Sequence, residues 1–140
     1  DKGRDGCRTP MTWDSKKQNA GFSDHRPWLP VKELQKQNSV DLQESEPSSV
    51  LNFYREMLNF RREEENLTVG KIKFIKDDES LLFFTRGEKE EIACIFNLSK
   101  NPLTLQLNGY KKILNSPQQF ANITNEDVSV GGNGFIFLKK

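Results

Sequence analysis

Apolar residues are unevenly distributed along this chain of 140 residues, and their distribution limits what each part can fold into. They are sparse in residues 1–49, whereas from Val50 onward they are dense enough to build a core. A segment that buries little apolar area cannot offset the conformational entropy that it loses on folding. We therefore expect the first third of the chain to pack against a scaffold that the chain does not contain.

The first third combines turn signals with isolated aromatic residues. Gly, Pro, Asn, Asp, Ser and Gln are frequent there, which is typical of turns and loops. The large aromatics Trp13, Phe22 and Trp28 argue against disorder, because disordered segments rarely contain such side chains. A loop of this length is uncommon in a compact domain unless it has a function. These features predict a long, ordered excursion.

A single helix is predicted over residues 47–65. Pro47 suits the first helical position, and apolar side chains then recur at the spacing of a helix. Such a face normally packs against another element, so we interpret it as a packing surface rather than a functional site. The stripe consists of Val50, Tyr54, Met57, Leu58 and Arg61, and it is widened by Leu51, Phe53 and Phe60.

After Gly70 the pattern changes to short runs of β-forming residues separated by polar or glycine-containing connectors. About six to eight such strands at this spacing are typical of a small antiparallel sandwich. The predicted order is therefore a loop, a helix and an all-β sandwich. The clearest strands are expected at residues 72–75, 80–85, 91–97, 103–107, 112–114 and 134–138.

Charge and cysteine content exclude several classes of function. Twenty-one basic and twenty acidic residues give a formal net charge of +1, which argues against an electrostatic nucleic-acid or membrane surface. No apolar run approaches the roughly 20 residues that span a bilayer. Two cysteines, Cys7 and Cys94, are too few for a disulfide framework, and we expect reduced thiols in a cytoplasmic protein. The start at Asp1 rather than methionine suggests an excised segment.

The most informative residues for chemistry are two arginines near the start. Arg4 and Arg8 are four residues apart, with Asp5 between them and Pro10 fixing a turn after them. A guanidinium group presents a planar fork of donors that fits a carboxylate or a pair of sugar hydroxyls. Two interpretations stay open from spacing alone: a binding site, or ion pairs that only hold the loop.

Other polar residues point to no site. His25 is the only histidine, so without a partner ligand it predicts a surface loop residue rather than a metal centre. No pair of carboxylates lies in a context that would keep one protonated and the other ionised. We therefore predict no metal, no cofactor and no catalytic residue within this chain.

Five sequence runs cover most of the chain from Gly3 to Arg62. The runs are residues 3–14 (GRDGCRTPMTWD), 19–23 (NAGFS), 27–31 (PWLPV), 40–43 (VDLQ) and 47–55 (PSSVLNFYR). In register, they resemble glycoside hydrolase family 13, the α-amylase superfamily, and within it the bacterial α-glucosidases and oligo-1,6-glucosidases. The later strands match the family only in architecture.

The resemblance implies a domain organisation. Residues 1–68 would form the end of a catalytic (β/α)₈ barrel, as a long active-site loop and the last helix, and residues 69–140 would form a C-terminal β-sandwich. Loops at the C-terminal face of such a barrel line the active site. The barrel that precedes residue 1 in the family would be the missing scaffold.

The resemblance also implies an activity that this segment would not carry alone. Family members cleave terminal α-linked glucose from small oligosaccharides with retention, using three carboxylates on earlier barrel strands. None of the three maps onto this chain. One arginine of the motif faces the sugar pocket in the family, and we assign this role to Arg8 first and to Arg4 second.

Two alternatives remain open at this point. A sucrose- or trehalose-active relative would share the fold and differ in barrel loops that are absent here. A non-catalytic β-sandwich module, used for binding or structure, would lack the family's catalytic carboxylates upstream. The α-glucosidase interpretation implies an α-glucoside substrate and no nucleic-acid or membrane partner.

Overall fold

The computed structural model describes residues 3–140 and divides the chain into two compact units, one ending at Arg55 and the other running Glu56–Lys140. The first unit is mainly irregular, with 3₁₀ turns at Asp5–Arg8 and Gln18–Gly21. The predicted barrel-and-sandwich boundary after residue 68 concerns the family's domains and stays a prediction. The helices are α1 (Glu33–Lys36), α2 (Val40–Ser45), α3 (Val50–Glu63) and α4 (Glu65–Thr68).

Residues 3–55 of the first unit form no core of large apolar side chains. Two short helices, α1 and α2, interrupt what the sequence presented as a single irregular loop. The side chains that are buried among its described residues are all small: Pro10, Thr12, Ala20, Ser39 and Ser49. This agrees with the expectation that the segment buries too little apolar area to fold by hydrophobic burial alone.

The α3 helix begins three residues later than predicted. Pro47 lies in a turn before the helix, so its assignment as the first helical residue is wrong. Ser49 acts as the cap instead, because its hydroxyl accepts the Asn52 N–H at 3.1 Å and its carbonyl accepts the Phe53 N–H at 2.9 Å. A serine cap satisfies helical N–H groups that otherwise lack partners. This hydrogen bond accounts for the start of the helix after Ser49 rather than at Pro47.

The apolar stripe predicted on α3 is largely uncovered in this chain. Phe60 is buried and Met57 is half-buried, but Val50, Tyr54 and Leu58 are 67%, 63% and 56% exposed. The helical period is therefore right, whereas the expectation that the stripe is a packing surface holds only for its second half within the described residues.

The second unit contains eight strands in two antiparallel sheets. The five-stranded sheet has the order β1-β2-β3-β8-β5, and the three-stranded sheet has the order β4-β7-β6. The predicted antiparallel sheets are thus confirmed. The strands are β1 (Ile72–Asp77), β2 (Leu81–Arg86), β3 (Ile92–Asn97), β4 (Leu103–Gln106), β5 (Lys112–Ile113), β6 (Ala121–Thr124), β7 (Asp127–Val130) and β8 (Phe135–Lys139).

Both faces of the five-stranded sheet are covered at its central strands, whereas the edge strand β1 is exposed. Its inner face packs on the three-stranded sheet through a core that includes Ile95, Ile136 and Val128, all fully buried. Its outer face packs on the second half of α3, where the rings of Phe60 and Phe137 are 5.1 Å apart. This two-sided burial explains why β3 and β8 are continuous apolar runs rather than alternating ones.

Two strands were not among those predicted from the sequence. The hairpin of β6 and β7 alternates polar and apolar residues over only four positions in each strand. Its turn contains Asn125 with a positive φ of 57°, a conformation that asparagine tolerates. The alternation in ANIT and DVSV was a usable signal, but strands this short lie near the limit of pattern recognition.

Asn97 ties the two sheets together at one end of the sandwich. Its side chain is 1% exposed, and its Nδ2 donates to the carbonyls of Asn101 at 2.7 Å and Gly131 at 2.9 Å. Its Oδ1 accepts from the Ser99 N–H and hydroxyl, at 3.0 and 2.9 Å. A buried amide is tolerated only when its donors and acceptors are satisfied, and here both are.

We expect Asn97→Ala to lower the free energy of unfolding by about 2–3 kcal/mol, because it leaves buried carbonyls without donors. Urea unfolding followed by circular dichroism would measure this change. Asn59→Ala is the matched control, since Asn59 is exposed on α3. An Asn97 variant as stable as the Asn59 variant would show that the amide does not join the sheets.

Candidate functional site

The turn that carries the two candidate arginines is held by local hydrogen bonds. Arg4 caps the 3₁₀ turn Asp5–Arg8, and its carbonyl accepts the Cys7 N–H at 3.3 Å and the Cys7 thiol at 3.0 Å. The Thr9 hydroxyl donates to the Gly6 carbonyl at 3.3 Å. The backbone of the motif is therefore fixed without any use of the arginine side chains.

Both candidate side chains are exposed and uncommitted. Neither Arg4 nor Arg8 forms an ion pair or side-chain hydrogen bond among the residues that the structure describes, 3–140. The interpretation that they hold the loop through ion pairs therefore finds no support in this part of the chain. Each guanidinium fork remains available for an external carboxylate or hydroxyl pair.

The first unit contains a shallow groove on another part of its surface. This groove, which we call the Trp28 groove, encloses ≈ 270 Å³ and is lined by Asn19, Arg26, Pro27, Trp28, Pro30, Val31 and Lys36. Complete small-molecule sites usually enclose about 300–1,000 Å³. The groove therefore resembles one wall of a site more than a whole one. Neither Arg4 nor Arg8 lines it, so the structure does not bring the predicted residues into this groove.

Sequence analysis missed two cations of this groove. Arg26 and Lys36 are 10 positions apart and belong to no motif, so their proximity could not be inferred from spacing. Trp28, one of the isolated aromatics of the first third, is 77% exposed at the groove. An exposed indole beside two cations can offer an aromatic face together with hydrogen-bond donors.

One asparagine sets the path of the chain beside the groove. Asn19 has a positive φ of 48°, and its Nδ2 donates to the carbonyls of Ser23 at 2.8 Å and His25 at 2.9 Å. The backbone N–H of His25 in turn donates to the Ser23 hydroxyl at 3.0 Å. His25 is exposed in this loop, as predicted for a surface histidine.

The Asp41 carboxylate joins the segment around Ser15 to the start of α2. It accepts the Ser15 N–H at 3.0 Å, the Ser15 hydroxyl at 2.7 Å and the hydroxyl of Ser39. Backbone hydrogen bonds from Val40 to Thr12 and from Asp41 to Trp13 join the same two segments, at 3.0 and 3.1 Å. The hydrogen bonds from Ser39 and Ser15 lower the pKa of Asp41 from 3.8 to about 2.

Gln43 continues this framework toward α3. Its Oε1 accepts the Leu51 N–H at 3.1 Å, and its carbonyl accepts the Ser49 hydroxyl at 2.8 Å. Nearby, Arg55 donates two hydrogen bonds to the Glu44 carboxylate, at 2.7 and 3.0 Å, which raises the pKa of Arg55 and lowers that of Glu44. The residues VDLQ, noted from sequence, thus serve to hold the unit together.

Potential metal ligands and the two cysteines add no further site within residues 3–140. No group of three potential metal-ligating side chains occurs within residues 3–140, and none of the helices described there is long and apolar enough to cross a bilayer. Both cysteines are free thiols, with Cys7 exposed and Cys94 buried. Burial raises the pKa of Cys94 from 9.0 to about 12, so this thiol is unreactive at neutral pH.

The amino-terminal half matches a known enzyme family. The family model for "Alpha amylase, catalytic domain" matches residues 1–70. A protein of Rhizobium meliloti (strain 1021) described as "Probable alpha-glucosidase" is 44% identical over 107 residues, covering 76% of this chain and 19% of the relative. The oligo-1,6-glucosidase of Parageobacillus thermoglucosidasius is 32% identical over 108 residues, covering 76% of this chain and 19% of the relative. This chain therefore spans about a fifth of the length of these curated relatives.

Solved structures share the fold over nearly the whole chain. The α-glucosyl transfer enzyme XgtA is 31% identical with a TM-score of 0.85, covering 98% of this chain and 26% of that enzyme. The trehalose-6-phosphate hydrolase TreA of Bacillus licheniformis is 28% identical with a TM-score of 0.79, covering 99% of this chain and 27% of that enzyme.

The irregular polar unit and the two antiparallel sheets thus share their fold with about a quarter of the length of these two enzymes. The chain belongs to the alpha-amylase family. Bacterial α-glucosidases and oligo-1,6-glucosidases are among its relatives, as the sequence motifs predicted.

We expect the hydrogen bonds of Asp41 to weaken on acidification between about pH 4 and pH 2. Its carboxyl pKa is lower in the folded chain than the ordinary 3.8, so its stabilising effect is complete above that value and is lost as the pH falls through about 2. The Ser15 amide chemical shift, followed by NMR, would report the titration. Asp41→Asn should abolish this transition, and a midpoint near 3.8 in the original chain would contradict the assigned contacts.

Proposed function

We propose that this chain is the C-terminal part of an α-glucosidase that releases terminal α-linked glucose from small oligosaccharides. Residues 1–68 would supply one rim of the sugar pocket and the last barrel helix, and residues 69–140 the C-terminal sandwich. The observation that carries the proposal is a pair of exposed arginines with no ion pair among residues 3–140, in a unit whose described residues bury only small side chains, within a segment related to α-glucosidases. A pocket rim needs its remaining walls from elsewhere.

The exposed half of the α3 stripe supports the same arrangement. Val50, Tyr54 and Leu58 recur every fourth residue, so they lie on one side of the helix and remain open to solvent in this chain. An outer helix of a (β/α)₈ barrel buries such a side against the barrel strands. We assign this side of α3 to contact with the remainder of the barrel.

The proposed chemistry divides between this chain and the rest of the protein. In a retaining glycosidase one carboxylate attacks the anomeric carbon while a carboxylic acid protonates the leaving oxygen. We place these groups outside this chain and assign to Arg8, with Arg4 second, a contact with the terminal sugar or with a carboxylate that binds it. A guanidinium donates two parallel hydrogen bonds and thereby fixes orientation. The free thiols of Cys7 and Cys94 support a cytoplasmic location.

Replacing Arg8 tests the proposed sugar contact. In the full-length enzyme we expect Arg8→Ala to lower kcat/KM for maltose or isomaltose by about 100-fold or more, because a charged contact worth ~3 kcal/mol is lost. Arg4→Ala, assayed in parallel, decides which guanidinium reaches the sugar. Lys111→Ala is the matched control, since Lys111 is an exposed cation of the sandwich. Normal activity of both Arg4 and Arg8 variants would remove these residues from the site.

The location of the catalytic groups has its own test. Circular dichroism would first establish that the 140-residue chain is folded. This chain should then release no glucose from maltose or isomaltose in an enzyme-coupled glucose assay. The full-length protein under the same conditions is the positive control. Turnover by the short chain would contradict the placement of the carboxylates outside it, and an inactive full-length protein would favour a non-catalytic module.

A second candidate function is glucosyl transfer or sucrose and trehalose conversion. It is favoured by the similarity to XgtA, to TreA and to the isomaltulose synthase of Erwinia rhapontici NX5, which is 28% identical with a TM-score of 0.77. Product analysis of the full-length enzyme with maltose and with sucrose distinguishes the two functions. Glucose as the sole product from maltose supports hydrolysis, whereas longer saccharides or sucrose isomers support the second candidate.

A further inference from the structure

A second groove lies within the sandwich, at the end of the three-stranded sheet where β6 begins and β7 ends. It encloses ≈ 440 Å³, a volume within the range of about 300–1,000 Å³ that is usual for small-molecule sites. We call it the Phe120 groove. Its lining residues are Pro102, Gln119, Phe120, Ala121, Asn122, Ser129, Val130 and Gly131.

The Phe120 groove contains no charged side chain, although 29% of the residues in the chain are charged. A binding surface is normally complementary in charge to its ligand, so this groove suits an uncharged molecule. Phosphorylated ligands, nucleic acids and acidic peptides would find no cation in it. The outward-facing side chains of the adjoining strands are also mainly neutral. For example, the hydroxyls of Thr104 on β4 and Ser129 on β7 are hydrogen-bonded at 3.0 Å.

One aromatic ring and several amides line the groove together. Phe120 is 69% exposed, which leaves the face of its ring free for stacking. The Asn122 amide has no side-chain hydrogen bond among the described residues, and the Gln119 amide accepts only from Ser116, at 3.0 Å. A ring face beside neutral donors and acceptors matches the two aspects of a sugar, which has apolar C–H faces and hydroxyls around its edge.

The backbone that carries the Phe120 ring is held in place before any ligand binds. The Phe120 carbonyl accepts the Gly131 N–H at 2.8 Å, which anchors the start of β6 to the end of β7. Gly131 also keeps the space beside the ring open, since a Cβ there would lie 3.3 Å from the Phe120 carbonyl oxygen and 3.6 Å from its Cβ. A preformed surface binds a ligand without a large cost in ordering.

A protein partner fits this groove less well. Specific protein interfaces bury about 1,200–2,000 Å² around a core of several apolar side chains. Phe120 is the only exposed large apolar side chain among the residues that line the groove. The three-stranded sheet is also the layer that the second half of α3 does not cover, because Phe60 packs on the five-stranded sheet.

We propose that the Phe120 groove is a second, non-catalytic binding site for a neutral oligosaccharide, held by stacking on Phe120 and by hydrogen bonds to Asn122 and Gln119. That the sugar is an α-glucoside rests on the proposed function. The site would retain oligosaccharide on the sandwich without taking part in bond cleavage.

NMR titration of the ¹⁵N-labelled 140-residue chain with maltotriose tests the proposal. We expect saturable shifts of the Asn122, Ser129 and Gly131 amides with a dissociation constant on the order of 1 mM, as suits a small, open site. Phe120→Ala should weaken binding about tenfold or more, whereas Phe120→Trp should retain it. Phe74→Ala is the matched control, because Phe74 is 59% exposed on β1.

Each other outcome overturns this second site and says something different about the protein. Shifts confined to the Trp28 groove would place sugar binding on the first unit and not on the sandwich. Absence of any shift would exclude maltotriose binding to the sandwich, while the activity assay of the full-length enzyme still decides the proposed function separately. Self-association that requires Phe120, measured by sedimentation velocity, would identify the groove as a contact between copies of the chain.

Discussion

The first unit depends on hydrogen bonds of small polar side chains rather than on apolar burial. Ser39 and Ser49 are among its few buried residues, and the Asp41 carboxylate joins two segments that are 26 residues apart in sequence. Individual hydrogen bonds contribute only modestly to stability, so such a unit has little margin. Because the described part of the unit buries only small side chains, its arginines and tryptophans lie on the surface, where they are available to a binding site.

The sandwich depends on the opposite kind of interaction. Its core side chains Ile95, Ile136 and Leu138 are fully buried, and a second cluster around Phe60 and Phe137 covers the other face of the larger sheet. Burial of this order is the main favourable contribution to folding. The polar exception, Asn97, is satisfied on both sides of its amide and fixes where the two sheets meet.

The two grooves differ in the charge of their lining residues and in the packing of the unit that carries them. The Trp28 groove has cations and an indole on a unit with little core, whereas the Phe120 groove has only neutral groups on a well-packed sandwich. We propose sugar retention only for the Phe120 groove, because a neutral sugar needs no cation and benefits from a rigid support.

The sequence alone determined the family, the uneven division of apolar residues, the helical period of α3 and six of the eight strands, because these depend on local pattern and on motifs in register. It also identified Arg4 and Arg8 as candidates, although their role at a sugar stays a prediction. The helix start at Pro47 was predicted wrongly because the local hydrogen bond of the Ser49 cap was not considered. Only the tertiary structure decided that Arg26 and Lys36 share a groove and that Phe120 lies beside Gly131. These contacts join segments that are distant in sequence. The pattern of residues along the chain does not reveal which distant segments come into contact.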